Sequence, residues 1–386
     1  MKILYLMTEP FGYGGVQSDM LALSRDLVPR GHEVFVATAP GELLQELQSR
    51  GGQHLDIDFH FSAPLKFLRA ARALRQAVIE NQIDIVAPQS VRSSLISFFA
   101  LRMWPFRYRV ADTERRCPIV TTIHNIHNPV HFRYAGKILR LCCDYVIFES
   151  HYERDRVTAS GLPSANSEVV HSGIDTEQFS PQPVNTALCE QFGIDKSRHK
   201  VFGIVARLSE EKGHDHLLHA FVEVQRAEPE ARLFVIGNGP LLEPTKQLAT
   251  QLQLDDSVIF TGGRRDIPEF LSVIDVFVLS STRESFPLAA REAMAAGRAV
   301  IAPAIGGCPE VVDDGVTGYL FESANRSDLA AKMLDILQQQ RYEKFGASAR
   351  DRVVKLFSRK QWIDGDERVY EQAHLAQTFG AGTTQA

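Results

Sequence analysis

The sequence predicts an α/β protein built from two doubly wound domains that face each other across a cleft. Three observations carry that expectation. Strand-like apolar runs alternate with helical stretches from end to end, a pattern that favours parallel sheets covered by helices. The alternation runs through twice, and the polar stretch Phe179-Ser-Pro-Gln-Pro-Val184, broken by two prolines, separates the halves. A length of 386 residues suits two domains of ordinary size, each able to bury its own core.

Taken in order, the first half reads as strands at 2–7, 33–39, 55–59, 84–88, 119–124 and 145–149. Helices are expected between and after them, near 16–29, 41–50, 64–81, 92–103, 133–143 and 151–160. The second half repeats the scheme, with strands near 201–206, 232–236, 258–261, 276–280, 299–302 and 318–321. The expected domains are 1–180 and 181–357. A final helix, 358–379, is expected to cross back onto the first domain, and 380–386 reads as a disordered tail. In such open sheets ligands collect at the carboxyl ends of the strands.

Composition narrows the function classes. The chain is 44% apolar and 23% charged with a formal net charge of -5, which argues against a dedicated nucleic-acid binder. Its start, Met1-Lys-Ile-Leu-Tyr-Leu-Met7, is too short for a signal-peptide core and runs into Glu9-Pro10, so it reads as a buried first strand. No stretch of 18 apolar residues exists to span a membrane. Cys117, Cys142, Cys143, Cys189 and Cys308 are odd in number and lack CxxC spacing, which suggests free thiols in a reducing cytoplasm.

The most informative pair is Glu284 and Glu292. The apolar run Val276-Phe-Val-Leu-Ser280 stops before them and a helix-forming run follows Pro287. That order predicts a strand, a loop carrying the first carboxylate and a helix carrying the second. Eight residues rise about 12 Å along a helix, a separation suited to a long polyhydroxylated ligand. Upstream, Gly203-Ile-Val-Ala-Arg-Leu-Ser-Glu-Glu-Lys-Gly213 ends another strand with two cations, Arg207 and Lys212. They suit a diphosphate, the guanidinium forking onto one phosphate and the ammonium neutralising the other. The plainer alternative is a solvated turn with Lys212 paired to Glu210 or Glu211.

Weaker signals surround these. Gly12-Tyr-Gly-Gly-Val-Gln17 follows the first strand and would let backbone amides approach an anion, without being a dinucleotide fingerprint. His124 closes the fifth strand, where it could hydrogen-bond a sugar hydroxyl or a developing charge. With His127 and His131 it has a superficial metal-ligand spacing, but no carboxylate or cysteine completes a set and Pro129 interrupts a presenting helix, so no metal is expected. Asp56-Ile-Asp58 sits in the third strand and reads as structural. From 60 to 116 ten Lys and Arg face four Asp and Glu, with Trp104, Phe106 and Tyr108 among the arginines. Besides a solvated face, that segment suits an anionic lipid surface.

The motifs together resemble the retaining glycosyltransferases of family 4, the group-1 glycosyl transferases, with the GT-B fold of two Rossmann-like domains. Gly14-Gly15 resembles their glycine loop, and His171-Ser172-Gly173-Ile174-Asp175 with Phe179 and Pro181 resembles their interdomain N-G-V-D…F-x-P. Ala206-Arg207-Leu208 with Lys212-Gly213 is similar to G-R-L…K-G. Glu284-x7-Glu292, then Gly297, Gly306-Gly307, Glu310 and Gly318, follow the family's best-known stretch in order. Two departures are Pro287 where glycine is common, and His171-Ser172 in place of Pro-Asn.

The resemblance implies transfer of a hexosyl unit from a UDP- or GDP-sugar to an acceptor hydroxyl, forming an α-linkage, in glycolipid or cell-surface polysaccharide synthesis. It implies an acceptor-binding first domain, a donor-binding second domain and no metal or other cofactor; the cysteines and the basic 60–116 segment add the expectation of a cytoplasmic enzyme peripheral on the membrane. Arg207 and Lys212 would hold the diphosphate, Glu284 the transferred sugar and Glu292 the ribose, with His124 at the reacting sugar. Gly14, Gly15, Gly263, Arg264, Arg265, Ser285, Phe286, Pro287 and Leu288 complete the expected donor set. Acceptor contacts are expected from Gln17, Arg92, Asn125 and His127, to a sugar or lipid-linked acceptor. No carboxylate is implied below the anomeric carbon, so same-face attack is favoured over double displacement. The alternatives are another enzyme of the same fold, an epimerase or a phosphorylase, and a non-catalytic sugar-nucleotide sensor.

Overall fold

The computed structural model describes the chain except residues 13–14, 60–63, 104–116, 125, 127–128 and 380–386. It divides into two compact units, residues 1–172 with 362–386, and residues 173–361.

The first unit holds β1 (Lys2–Leu6), β2 (Glu33–Thr38), β3 (Gln53–Asp56), β4 (Ile85–Pro88), β5 (Val120–Ile123), β6 (Tyr145–Phe148) and β7 (Ser167–Val169). Strands β3-β2-β1-β4 form one parallel sheet and β5-β6-β7 another. A parallel bridge from Val86 to Ile119 joins them edge to edge. Alternate residues point to opposite layers: Ile3, Tyr5, Val34 and Val36 pack with the last helix, and Leu4, Leu6, Phe35 and Ala37 with the helix Pro64–Glu80.

The second unit holds β8 (Lys200–Val205), β9 (Ala231–Ile236), β10 (Val258–Gly262), β11 (Val276–Val278), β12 (Ala299–Pro303) and β13 (Gly318–Phe321). Their order, β10-β9-β8-β11-β12-β13, is doubly wound, and the direction of winding reverses between β8 and β11. Both faces are apolar and covered by helices.

One device sets strand register at three places. Asp84, just before β4, accepts the backbone N–H of Lys2 at 2.8 Å. Asp144, before β6, accepts that of Ile119 at 2.8 Å, and Asp275, before β11, that of Val201 at 2.8 Å. Asp275 is held in turn by Lys196 at 2.6 Å. Each carboxylate satisfies a strand-end donor that the parallel ladder leaves open.

Several expectations shift. The units part between Ser172 and Gly173, ahead of the expected 180/181 boundary. Ile174 exchanges backbone hydrogen bonds with Phe357 and Arg359, and Phe179 lies in the second unit's core, so 173–180 belongs there. The third strand ends at Asp56, which leaves Asp58 outside it, and β7 was not anticipated. Pro129 opens the helix Pro129–Cys142 instead of interrupting one, since a first-turn position needs no N–H. The last helix is Arg359–Phe379, and its residues from Trp362 onward belong to the first unit, with Trp362, Ile363, Val369 and Tyr370 in that core. All five cysteines are free thiols. Among the described residues no helix is long and apolar enough to cross a membrane.

Candidate functional site

The carboxyl ends of β8 and β11, neighbours where the winding reverses, bring the second unit's charged residues together. After β8 a short 3-10 turn, Glu210–Lys212, ends at Gly213 in the left-handed region (φ +62°). A Cβ at Gly213 would stand 2.2 Å from the Ser280 carbonyl, so only glycine lets this turn lie against the loop after β11. Ser280 Oγ donates to the Lys212 carbonyl at 2.9 Å, and the Thr282 amide donates to the Glu211 carbonyl at 2.9 Å. With the two loops stitched together, Lys212 Nζ reaches Glu284 Oε1 at 2.6 Å and Ser281 Oγ donates to the same oxygen at 2.7 Å. Glu284 Oε2 has no hydrogen-bond partner among the described residues.

The lysine therefore pairs with Glu284, not with Glu210 or Glu211; Glu211 accepts from Ser209 Oγ at 2.6 Å. Arg207 is exposed, and its guanidinium has no partner among the described residues. A third loop supports the second. Gly306 adopts φ +55° after β12, and a Cβ there would sit 1.7 Å from the Glu284 carbonyl oxygen.

Helix Leu288–Ala295 starts at the back of this cluster. Pro287 is its N-cap, one residue earlier than the first-turn position its missing N–H would suit, and no side chain caps the helix. The first amides, those of Leu288, Ala289 and Ala290, precede the first helical bond from Arg291 to Pro287 and are oriented for an anion. Ser285 and Phe286 are buried. The Phe286 ring packs on Phe357 and lies 4.1 Å under the Arg291 guanidinium, so its side chain belongs to the core, and its carbonyl accepts from Arg291 Nη2 at 3.4 Å.

Glu292 is half-buried on this helix and has no hydrogen bond or ion pair among the described residues. Burial raises its carboxyl to about 7, against the lowering effect of Arg291. At the end of β10, Arg264 is paired with Asp266 through its Nε at 2.8 Å and stacks over Phe270. A Cβ at Gly263 would meet the Asn238 side-chain amide at 2.8 Å, a contact that side chain can relieve by turning, and Arg265 is adjacent.

Of the first-unit residues, Gly15 opens the helix Gly15–Leu27 with no atom within 4 Å of where a Cβ would lie. Gln17, expected at an acceptor, instead donates to the Pro10 carbonyl at 3.1 Å and is buried. Arg92 is exposed near the start of the helix Val91–Arg102. Gly14, Asn125 and His127 lie outside the described residues, as do 60–63 and 104–116 of the basic 60–116 segment.

His124, at the end of β5, is already engaged at both ring nitrogens. Nδ1 lies 2.9 Å from Glu149 Oε1 and 3.5 Å from Asp19 Oδ2, and Nε2 lies 2.8 Å from Gln89 Oε1. Sequence reasoning missed Gln89, Glu149, Asp19 and Ser281. The first two did carry a signal: each is a polar residue directly at the carboxyl end of an apolar strand, as His124 is.

Two doubly wound units, one with cations, acids and a helix N-terminus gathered at its switch point, define the architecture of the GT-B glycosyltransferases. Solved structures share this fold. A glycosyltransferase from Rickettsia africae superposes with a TM-score of 0.81 at 20% identity, covering 96% of this chain and 98% of that one. Alr3699/HepE of Anabaena, solved with UDP and glucose, gives 0.80 at 22% identity, covering 96% and 99%.

In sequence, the family model for glycosyltransferase family 4 matches residues 13–178, and that for glycosyl transferases group 1 matches residues 190–352. The chain belongs to this glycosyltransferase family. Among its relatives, N-acetyl-alpha-D-glucosaminyl L-malate synthase of Bacillus anthracis is 25% identical over 365 residues, 90% of this chain and 91% of that protein. A GDP-mannose-dependent phosphatidylinositol monomannoside mannosyltransferase of Mycolicibacterium smegmatis is 32% identical over 208 residues, covering 51% and 54%.

Proposed function

We propose that this glycosyltransferase moves a hexosyl unit from a UDP- or GDP-sugar to an acceptor hydroxyl, with retention and without a metal. The observation that carries the reading is the grouping of Lys212, Glu284 and Ser281 beside the uncapped start of Leu288–Ala295. Unpartnered Arg207 and Glu292 complete it. In this reading Arg207, Lys212 and the helix amides neutralise the diphosphate, whose charge grows as the glycosidic bond to phosphate breaks. Two cations and a helix N-terminus supply what a divalent ion would otherwise supply.

Glu284 Oε2 and the Glu292 carboxylate accept hydroxyls of the sugar and the ribose. In this reading Glu284 and Glu292 bind hydroxyls and neither acts as a nucleophile, so the acceptor oxygen attacks from the leaving-group face and its proton passes to the departing phosphate oxygen. Support for a nucleotide-sugar donor comes from relatives and neighbours whose names include GDP-mannose and UDP.

Isothermal titration with UDP, GDP and ADP and their hexoses tests the donor class. Below about pH 7 Glu292 is protonated and must lose its proton to accept ribose hydroxyls as an anion. Donor affinity is therefore expected to rise as pH climbs from 6 to 8, by up to about tenfold, and to lose that slope in Glu292→Gln. No binding by any of the nucleotides or their sugars would sink the proposal; binding with an unchanged slope would remove Glu292 from the ribose.

For the acceptor we favour a glycolipid or cell-surface polysaccharide precursor at an anionic membrane. Helix Pro64–Glu80 exposes Leu65 and Leu68, 70% and 53% accessible, beside the exposed cations Lys66, Arg69 and Arg72. That mixture suits shallow insertion among anionic headgroups. The protein should float with anionic vesicles at moderate salt, and Leu65→Glu with Leu68→Glu should abolish it; wild-type protein left in the pellet fraction overturns the docking.

A further inference from the structure

We propose that His124 is held as an imidazolium at neutral pH, and that Glu149 is the positioning residue that keeps it so. The clause concerning transfer rests on the reaction proposed above; the protonation of the ring does not.

Three adjacent strand ends build the arrangement. Gln89 follows β4, His124 follows β5 and Glu149 follows β6. The Gln89 amide is oriented by its own main chain: Nε2 donates to the Ala87 carbonyl at 2.9 Å. Its oxygen is therefore the atom that meets His124 Nε2, at 2.8 Å. On the other side of the ring Nδ1 meets the Glu149 carboxylate at 2.9 Å, with Asp19 at 3.5 Å.

Both ring nitrogens thus face oxygen acceptors. A neutral imidazole has one N–H, so either tautomer would set a nitrogen lone pair against an oxygen lone pair. The site is poorly hydrated, with side-chain exposures of 12% for His124 and 11% for Glu149, so water cannot relieve that mismatch cheaply. With Glu149 ionised, only the doubly protonated ring satisfies every contact.

The surrounding charges act in the same direction. Burial alone pulls the ring's pKa down, but the charge and hydrogen bond of Glu149, with Asp19 and Asp366 adding, carry it up to about 9. Asp366, on the last helix, is 2% exposed and its Oδ1 has no hydrogen-bond partner among the described residues. Burial, reinforced by Glu149 and Asp19 and opposed by His124, pushes Asp366 up to about 8. At neutral pH the ring therefore keeps its charge while Asp366 keeps its proton.

The chemical consequence is directional. An imidazolium has no lone pair and cannot accept the acceptor's proton; with both N–H groups already donated to Glu149 and Gln89, it acts through its positive charge. In the transfer reaction that leaves the departing phosphate oxygen as the proton's destination. The Glu149 carboxylate touches no reacting atom in this scheme and acts through the ring.

Proton-coupled NMR of protein labelled in the histidine ring tests the first clause, with the His124 signals assigned by their loss in His124→Asn. Both ring nitrogens should show the protonated signature at pH 8, with a midpoint near 9. In Glu149→Gln the midpoint should fall to the ordinary histidine value of about 6.5 or lower, because burial then dominates. Glu149→Asp, which keeps the charge, should restore most of the difference. A wild-type midpoint at or below 7, or one unmoved by Glu149→Gln, overturns the proposal. If Glu149→Gln fails to fold, the wild-type and Glu149→Asp titrations decide it alone.

The second clause is read from activity. The alkaline limb of the kcat profile should move down with the NMR midpoint in Glu149→Gln, while the donor KM changes little. A shifted NMR midpoint with an unmoved limb refutes the role in transfer and leaves the protonation standing. Absence of any transfer by wild-type protein would count against the proposed reaction alone.

Discussion

Lys212→Ala is expected to reduce sugar transfer by about a hundredfold or more with the fold intact. Two effects add. The ammonium lies 2.6 Å from Glu284 Oε1, and the Glu284 side chain is only 9% exposed. Removing the cation leaves that carboxylate held by Ser281 alone, so it repels the incoming diphosphate. The variant also loses a charge aimed at the leaving group, and removal of one such preorganised donor typically costs about 10²–10³ in kcat. Lys212→Arg should recover part of the loss, limited by the fork geometry of guanidinium. Steady-state kinetics beside a thermal melt separate chemistry from folding. Activity within about tenfold of wild type would remove Lys212 from the reaction.

Gly306→Ala should do comparable damage from outside the charged cluster. Its backbone is left-handed at φ +55°, and the new Cβ would stand 1.7 Å from the Glu284 carbonyl oxygen and 2.8 Å from its carbon. The obstacle is main chain, so no rotamer relieves it; the Glu284 loop must shift. A displacement near 1 Å at a positioning loop costs about 10²-fold in rate. Strain should lower stability by about 1–3 kcal/mol as well. Gly315→Ala provides the control: φ is +74°, yet nothing lies within 4 Å of the added carbon. That variant should lose about 1 kcal/mol and keep full activity. Equal activity in both variants would mean that the Gly306 turn does not support Glu284.

Much of the fold was legible because short apolar runs and helical stretches are local signals. The strand at 33–39 ends one residue early in the structure, and the one expected at 201–206 begins and ends one residue early. Where the reading slipped, competing local cues explain it. Pro129 is a helix breaker in the interior but a helix starter at the first position, and spacing alone does not say which. Strand β7 is three residues long and half-buried, too short to show a period.

The site was legible as a set of residue types at strand ends, less so as a set of partners. Glu284 and Lys212 stand out in sequence, but their mutual contact spans 72 positions and depends on a glycine turn packing against another loop. The partners of His124 come from helix Gly15–Leu27 and from the ends of β4 and β6. Asp366, 242 residues further along, influences it from the last helix. No local pattern announces such a meeting. Gln17 and Arg264 show the converse: each is polar and well placed, and each is committed to a neighbour.

The three aspartates that clasp neighbouring strands all act at the amino-terminal rim of their sheets. Strand order is thereby locked on the side of each sheet away from the chemistry. Loops on the opposite rim are free to diverge, so lineages descended from this scaffold can acquire new sugars and new recipients without relearning how to fold.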